Sequence, residues 1–83
     1  MNKKVIVYTI DYCPYCNNAK ALLSRKGISF EEIKLDRADT DKVMALYQKS
    51  GMRTFPQIFL EDSLIGGFDE LVKFDKNKGL DNI

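Results

Sequence analysis

Residues 5–16, Val-Ile-Val-Tyr-Thr-Ile-Asp-Tyr-Cys-Pro-Tyr-Cys, decide the fold of this chain. The β-branched and aromatic run from Lys4 to Thr9 is apolar on both faces, which predicts a central, buried strand. Pro14 suits the first position of a helix, and the helical spacing of apolar residues continues from there to Lys26. The sequence therefore predicts a strand that leads directly into a helix, with a pair of cysteines at the junction.

These two cysteines, Cys13 and Cys16, form a C-x-x-C motif at the start of the helix. This spacing places one sulfur at the helix N-terminus and the other one turn later, which is the geometry of a redox dithiol. Cys13 is predicted to be the nucleophile, because free N–H groups and the helix dipole stabilise its thiolate. Cys16, inside the helix, is predicted to be the resolving thiol. Asp11 would oppose thiolate formation if it lay close, and is otherwise a solvated loop carboxylate.

Other uses of two cysteines fit the sequence less well. A pair of small buried side chains would need neither Pro14 nor a helix start beside the sulfur. A zinc site within one chain needs about four ligands, and the sequence has no histidine and no third cysteine. The absence of histidine also excludes a Cys-His nucleophile pair. A phosphate-binding cysteine loop would want an arginine where Asn17, Asn18 and Ala19 stand. No bound metal is therefore predicted.

Composition limits the class of protein further. The 83 residues carry a net charge of +1 and 45% of them are hydrophobic, which predicts a single globular domain over residues 1–83. Lysine and arginine are interspersed with aspartate and glutamate, which argues against nucleic-acid binding. The apolar runs are too short for a signal peptide or a membrane span, so a cytoplasmic protein without a membrane contact is expected.

The rest of the chain alternates strands and helices. Ile28 to Leu35 is predicted to be a strand with a bulge or an early end, because its apolar residues change phase. A second helix is predicted to have its N-cap at Asp39 or Thr40 and to end at Gly51. Two short strands follow, Gln57 to Leu60 and Ser63 to Ile65, joined by a turn at Glu61-Asp62. The last predicted element is a helix from Phe68 to Asn77. The order β-α-β-α-β-β-α predicts an α/β fold, with a four-stranded mixed sheet and three helices on its two faces.

Three motifs make the chain resemble the glutaredoxins over essentially its whole length. They are Cys13-Pro14-Tyr15-Cys16 after the first strand, Thr54-Phe55-Pro56 before the third, and Gly66-Gly67-Phe68-Asp69-Glu70 at the start of the last helix. The resemblance implies a minimal thioredoxin fold and a glutathione-dependent thiol-disulfide oxidoreductase without a tightly bound cofactor. It implies glutathione as the co-substrate and disulfide-containing or glutathionylated proteins as partners of a chain expected to be monomeric.

The same resemblance implies where glutathione binds. The bond before Pro56 is expected to be cis, so that the backbone of Phe55 pairs with the extended thiol peptide. The helix start from Gly67 to Asp69 would bind the carboxylate of the γ-glutamyl end, while the glycines also make the turn. Tyr15 either flanks the bound sulfur or only covers the sheet. The implied glutathione-binding residues are Tyr15, Thr54, Phe55, Pro56, Gly67, Phe68 and Asp69.

One position departs from the glutaredoxin pattern. The family commonly carries a lysine three residues before the first cysteine, where it meets the glycine carboxylate of glutathione, whereas this chain has Ile10. Lys42 and Arg53 are the nearest candidates to replace that cation. If glutathione binds along Thr54 to Pro56 and Gly67 to Asp69, its glycine carboxylate is expected to lie near Ile10, and Ile10→Lys is predicted to lower the KM for glutathione with little change in turnover. If Ile10 packs against the sheet, the lysine would cost stability instead.

Two further functions stay open at this point. One is a thioredoxin-like reductant that a reductase, rather than glutathione, keeps reduced; the anion site at Gly66 to Asp69 speaks against it. The other is an iron–sulfur carrier in which two chains bridge one cluster through Cys13 and glutathione. Pro14 makes the cysteine loop stiff, and by resemblance such carriers usually have a smaller residue at this position.

Overall fold

The structure, a computed structural model, describes residues 3–81. Its elements are, in chain order, β1 (Val5–Thr9), α1 (Pro14–Arg25), β2 (Glu31–Lys34), α2 (Thr40–Ser50), β3 (Gln57–Leu60), β4 (Ser63–Gly66) and α3 (Phe68–Lys76). This is the predicted order β-α-β-α-β-β-α. None of the helices in the described part of the chain has the length and hydropathy that crossing a bilayer requires.

The four strands form one mixed sheet in the spatial order β2-β1-β3-β4. β1 pairs parallel with β2 and antiparallel with β3, and β3 pairs antiparallel with β4. β1 is therefore a central strand, as its apolar sequence predicted, and the two cysteines follow its carboxyl end. This architecture is the thioredoxin fold, and the predicted fold class is confirmed.

The alternation of side chains along β1 supplies a core to each face of the sheet. Val5 and Val7 pack with residues of α1 and α3 on one face, among them Leu23 and Leu71. On the other face, Ile6 and Tyr8 pack against a second core cluster, to which α2 contributes Val43 and Leu46. The other buried members of this cluster are Ile10, Leu35 and Phe59. Because both faces of the sheet are apolar, helices cover both of them, and the predicted layering is confirmed.

The second strand is shorter than predicted. It begins at Glu31 rather than Ile28 and ends at Lys34. The amide of Ile28 donates to the carbonyl of Leu23 (3.0 Å) and so closes the end of α1, while its side chain packs against the core on that face. The register against β1 is regular, so the bulge predicted here is wrong; the irregular pairing lies at Ile58 and Phe59 instead. The spacing of apolar residues changes within the segment from Ile28 to Leu35 because its first residues form a loop and the strand begins only at Glu31.

The helix ends agree with the predictions to within one residue. α2 has its N-cap at Asp39, whose Oδ1 accepts the amide of Lys42 (3.4 Å), and its C-cap at Gly51 with φ of 74°. α1 and α3 each end one residue earlier than predicted, at Arg25 and Lys76. Such differences are normal where a last helical turn loosens.

Candidate active site

The cysteine pair lies where β1 passes into α1. Cys13 is the N-cap of α1 and has an extended backbone, and Pro14 occupies the first helical turn. Cys13 and Cys16 form a disulfide, with their Cα atoms 5.2 Å apart. The predicted helix start therefore holds, and it fixes the two sulfurs one turn apart on a rigid element.

The two cysteines differ in accessibility. Cys16 is buried (1% exposed), whereas Cys13 is half-buried and part of its surface reaches solvent. The backbone N–H of Cys16 donates a hydrogen bond of 3.1 Å to Sγ of Cys13. An attacking or departing thiol can therefore approach Cys13 from outside, while Cys16 can react only with Cys13.

The carboxylate of Asp11, two residues before Cys13, is exposed and forms an ion pair of 3.1 Å with Lys34. Its hydrogen bond and charge raise the pKa of Lys34 above the ordinary value of lysine. Of the two interpretations of Asp11, the solvated loop carboxylate is the one that the structure shows.

A cleft of about 250 Å³ lies between the loop before β3 and the start of α3, and Tyr15 of the C-x-x-C motif lines it. The rings of Tyr15 and Phe68 meet across it, with their centroids 6.3 Å apart. All seven residues predicted to bind glutathione line this cleft, together with Met52 and Glu70; the seven are Tyr15, Thr54, Phe55, Pro56, Gly67, Phe68 and Asp69. The structure thus brings together residues from α1, α3 and the loop between α2 and β3.

The loop before β3 has the predicted cis peptide bond between Phe55 and Pro56. A residue that the sequence analysis did not select, Gln57, holds this loop: its Nε2 donates to the carbonyl of Met52 (3.1 Å) and to that of Thr54 (3.0 Å). Gln57 is completely buried. A glutamine at the start of an otherwise apolar strand was the signal that could have identified it, because buried amides need partners.

The start of α3 shows why two glycines precede it. Gly66 has φ of 130°, a backbone conformation that residues with a side chain rarely adopt. A Cβ at this position would lie 2.7 Å from the Cβ of Glu70. Gly67 is the N-cap, and its N–H donates to Oε1 of Glu70 (2.8 Å). The next N–H groups of this first turn have no acceptor within the helix and are available to an anion.

A second cleft, of about 290 Å³, adjoins the first one through Thr54 and Phe55. Its other lining residues are Ile10, Tyr12, Cys13, Pro14, Arg37 and Arg53. Of the two cations predicted to replace the family lysine, Arg53 lies in this cleft, whereas Lys42 lines a different groove with Tyr8 and Lys49. Arg37 was missed, because nothing in the polar turn before α2 distinguishes it from a solvated side chain.

Ile10 also reaches this second cleft, but its side chain is only 6% exposed and belongs to the core beside α2. Leu35 and Phe59 belong to the same core cluster. The structure therefore shows Ile10 packed against the sheet, and a lysine at this position would replace a buried apolar side chain.

These features define a class of protein: a thioredoxin-fold thiol-disulfide oxidoreductase, with one accessible and one buried cysteine at the start of α1. Comparison with known sequences specifies the family. A sequence model of the Glutaredoxin family matches residues 5–65. The chain belongs to the glutaredoxin family.

Curated relatives match the chain along nearly all of its length. It is 47% identical to Glutaredoxin 3 of Escherichia coli (strain K12) over 77 residues, which are 93% of this chain and 92% of the relative. It is 41% identical to Glutaredoxin 1 of Rickettsia bellii (strain RML369-C) over an alignment of 90 residues that covers 100% of this chain and 92% of the relative.

Solved structures show the same similarity. A buckwheat glutaredoxin in complex with glutathione has a TM-score of 0.81 at 29% identity, covering 92% of this chain and 71% of that one. A Brucella melitensis glutaredoxin has a TM-score of 0.80 at 43% identity, covering 95% of this chain and 85% of that one.

Proposed function

We propose that this chain is a glutathione-dependent thiol-disulfide oxidoreductase that reduces protein disulfides and glutathione mixed disulfides through Cys13 and Cys16. One observation supports the proposal: the seven residues implied by the glutaredoxin motifs line a single cleft, and Cys13 lines a second cleft that shares Thr54 and Phe55 with the first. The buckwheat relative with bound glutathione supports the same ligand.

The charges around the two clefts match those of glutathione. Its γ-glutamyl end carries a carboxylate and an ammonium group; the free N–H groups at the start of α3 suit the first, and the carboxylate of Asp69 suits the second. The peptide would extend past the backbone of Phe55, which brings its sulfur to Cys13. Its glycine carboxylate would then meet Arg53 in the second cleft.

Reduction of a protein disulfide would take two exchanges within the enzyme. The Cys13 thiolate attacks one sulfur of the substrate disulfide; that S–S bond breaks, and the other substrate sulfur leaves as a thiolate and takes up a proton. The Cys16 thiolate then attacks Sγ of Cys13, which releases the second substrate thiol and forms the Cys13–Cys16 disulfide. Two glutathione thiols reduce this disulfide in turn and leave as glutathione disulfide, so that two electrons pass from glutathione to the substrate.

A glutathionylated protein would need only Cys13. Its thiolate attacks the glutathione sulfur and releases the protein thiol, and a second glutathione then attacks that same sulfur and displaces Cys13. Stabilisation of the Cys13 thiolate at the helix N-terminus makes it a weaker nucleophile but a better leaving group. The hydrogen bond from the amide of Cys16 to Sγ of Cys13 acts in the same direction, so the site favours the release of Cys13.

The deciding experiment compares two electron donors for the same enzyme. With glutathione and glutathione reductase the chain is expected to reduce a glutathione mixed disulfide catalytically, and with thioredoxin reductase it is expected to remain oxidised. A redox potential of about −200 to −230 mV is expected, against about −270 mV for a thioredoxin. Turnover only with thioredoxin reductase would overturn the proposal, and visible absorbance after anaerobic purification would support the iron–sulfur carrier. A cytoplasmic location and a monomeric state remain predictions.

A further inference from the structure

Tyr12, directly before Cys13, is fully exposed (101%). Its backbone has φ of 58°, a left-handed conformation that is unfavourable for an aromatic residue. A tyrosine that packs against nothing contributes little to folding, and its conformation has a cost. Tyr12 nevertheless lines the same cleft as Cys13.

Tyr12 shares the cleft around Cys13 with two guanidinium groups, those of Arg37 and Arg53. Neither arginine belongs to any of the ion pairs found within residues 3–81. Of the two nearby acids, Asp11 pairs with Lys34, whereas Asp36 accepts the amide of Ala38 (2.9 Å) and keeps its negative charge. The side of Cys13 that carries Tyr12 therefore combines an aromatic ring with two guanidinium groups that form no ion pair within residues 3–81.

Glutathione, in the binding mode proposed above, uses only part of this surface. Its carboxylates are matched by the start of α3 and by Arg53, while Tyr12 lies outside the cleft that contains Tyr15 and Asp69. Tyr12 and Arg37 also line a neighbouring depression of about 220 Å³, together with Leu35 and the carboxylates of Asp11 and Asp36. A protein segment that continues past the position of glutathione can extend into this depression while its disulfide is at Cys13.

We infer that Tyr12 and Arg37 form a docking edge for protein disulfides. The substrate is an extended segment that presents an aromatic or large apolar side chain to Tyr12 and a carboxylate side chain to Arg37. The inference rests on the proposed function, because the docked disulfide is the one that Cys13 attacks. It adds a basis for selecting protein substrates over small glutathione mixed disulfides.

Kinetics with two substrates test the role of Tyr12. One substrate is the mixed disulfide of glutathione and 2-mercaptoethanol; the other is a short peptide disulfide with a phenylalanine and a glutamate beside its cysteines. Tyr12→Asn removes the ring and retains a residue that tolerates a left-handed backbone. It is expected to raise the KM for the peptide roughly two- to tenfold and to leave the KM for the small substrate within about twofold. Tyr12→Phe should retain the KM of the original enzyme, and Met44→Ser, which removes an exposed apolar side chain from α2, serves as the control.

The same assay tests Arg37 with a peptide in which glutamine replaces the glutamate. The original enzyme is expected to have a KM about 1.4- to fivefold lower for the glutamate peptide than for the glutamine peptide. Arg37→Gln is expected to abolish this preference. Arg25→Gln, at the opposite end of α1 from Cys13, removes an equal charge and should keep the preference. An unchanged peptide KM in a folded Tyr12→Asn enzyme, or an equal loss with both substrates, would overturn the inference. Failure of the unmodified chain to reduce either substrate with glutathione would overturn the proposed function instead.

Discussion

The backbone N–H of Cys16 donates a hydrogen bond of 3.1 Å to Sγ of Cys13, while the Cys16 side chain is itself buried. One residue thus stabilises charge on the accessible sulfur through its backbone and can react with it through its side chain. Because α1 starts at Pro14, both roles follow from the C-x-x-C spacing. The arrangement leaves Cys13 partly accessible to solvent and buries Cys16 behind it.

This difference in accessibility predicts that the two cysteines separate by type of reaction. Cys16→Ser should retain reduction of glutathione mixed disulfides and lose most reduction of protein disulfides, because glutathione can displace Cys13 without an internal thiol. Cys13→Ser should lose both activities, because the buried position of Cys16 prevents it from meeting a substrate. Steady-state rates with each substrate class measure the separation. Turnover by a Cys13→Ser variant would show that the nucleophile has been assigned wrongly.

Arg53 provides a test of how the glycine carboxylate of glutathione is bound. Arg53→Gln is expected to raise the KM for glutathione about 1.4- to fivefold with little change in kcat, because an exposed ion pair to a remote part of the substrate contributes only about 0.2–1 kcal/mol. The matched variant is Lys42→Gln, which removes the same charge from a groove that lacks Cys13. Kinetics at low and high salt provide the readout.

The effect of Arg53→Gln should shrink as salt is added, since the contact is solvent-exposed. Lys42→Gln should leave the KM unchanged at either salt concentration. If Lys42→Gln raised the KM for glutathione and Arg53→Gln did not, the glycine carboxylate of glutathione would have to bind in the groove beside α2.

The sequence was most informative where chemistry and periodicity coincide. The run into Cys13 predicted β1 and α1 because a buried strand, a proline suited to a helix start and a capping cysteine all indicate the same junction. β2 was predicted less well, because Ile28 is apolar for another reason: it packs beside the end of α1. A local pattern cannot distinguish burial under a helix from burial in a sheet.

The site shows the same limit. Residues of the three glutaredoxin motifs were predicted together and line one cleft, because each motif has its own local geometry. Arg37 and Gln57 carry no such local signal. Arg37 joins the site only because the turn before α2 folds toward Cys13, and Gln57 matters only because the loop carbonyls of Met52 and Thr54 come within its reach. Such roles depend on tertiary contacts.

Ile10→Lys is predicted to destabilise the fold. The side chain packs in the core beside α2, so a lysine would lose branched apolar packing and would have to bring its ammonium group out into the second cleft. A cost of about 1–3 kcal/mol is expected from the poor fit, which for a domain of this size lowers the Tm by roughly 4–8 °C per kcal/mol. Thermal melts of Ile10→Lys and of the uncharged control Ile10→Met, expected to cost less than about 1.5 kcal/mol, measure it. A lysine variant as stable as the methionine one would contradict the burial of Ile10.

Glu32 is predicted to make stability depend on acid pH. Its carboxylate accepts hydrogen bonds from the hydroxyl of buried Thr9 (2.7 Å) and from Lys20 (3.0 Å), and these bonds, that of Thr9 foremost, hold the pKa of Glu32 below its usual range. Because the pKa is lower in the folded state, the stabilisation is complete above the unfolded-state pKa and is lost as the pH falls through the folded-state value. Glu32→Gln removes the titrating group, whereas Glu31→Gln breaks only an exposed ion pair with Lys4.

Urea unfolding at neutral pH and at about pH 2.5 tests this prediction. The original chain should lose about 0.5–1.5 kcal/mol more stability between the two pH values than Glu32→Gln does, which is the contribution expected of a partly exposed hydrogen-bonded carboxylate. Glu31→Gln should follow the original chain, because an exposed pair contributes little at either pH. If Glu32→Gln kept the full acid sensitivity, the hydrogen bond from Thr9 would favour the charged and neutral forms of Glu32 equally. The group whose protonation lowers the stability would then have to lie elsewhere than in the contact between β1, β2 and α1 that Thr9, Glu32 and Lys20 form.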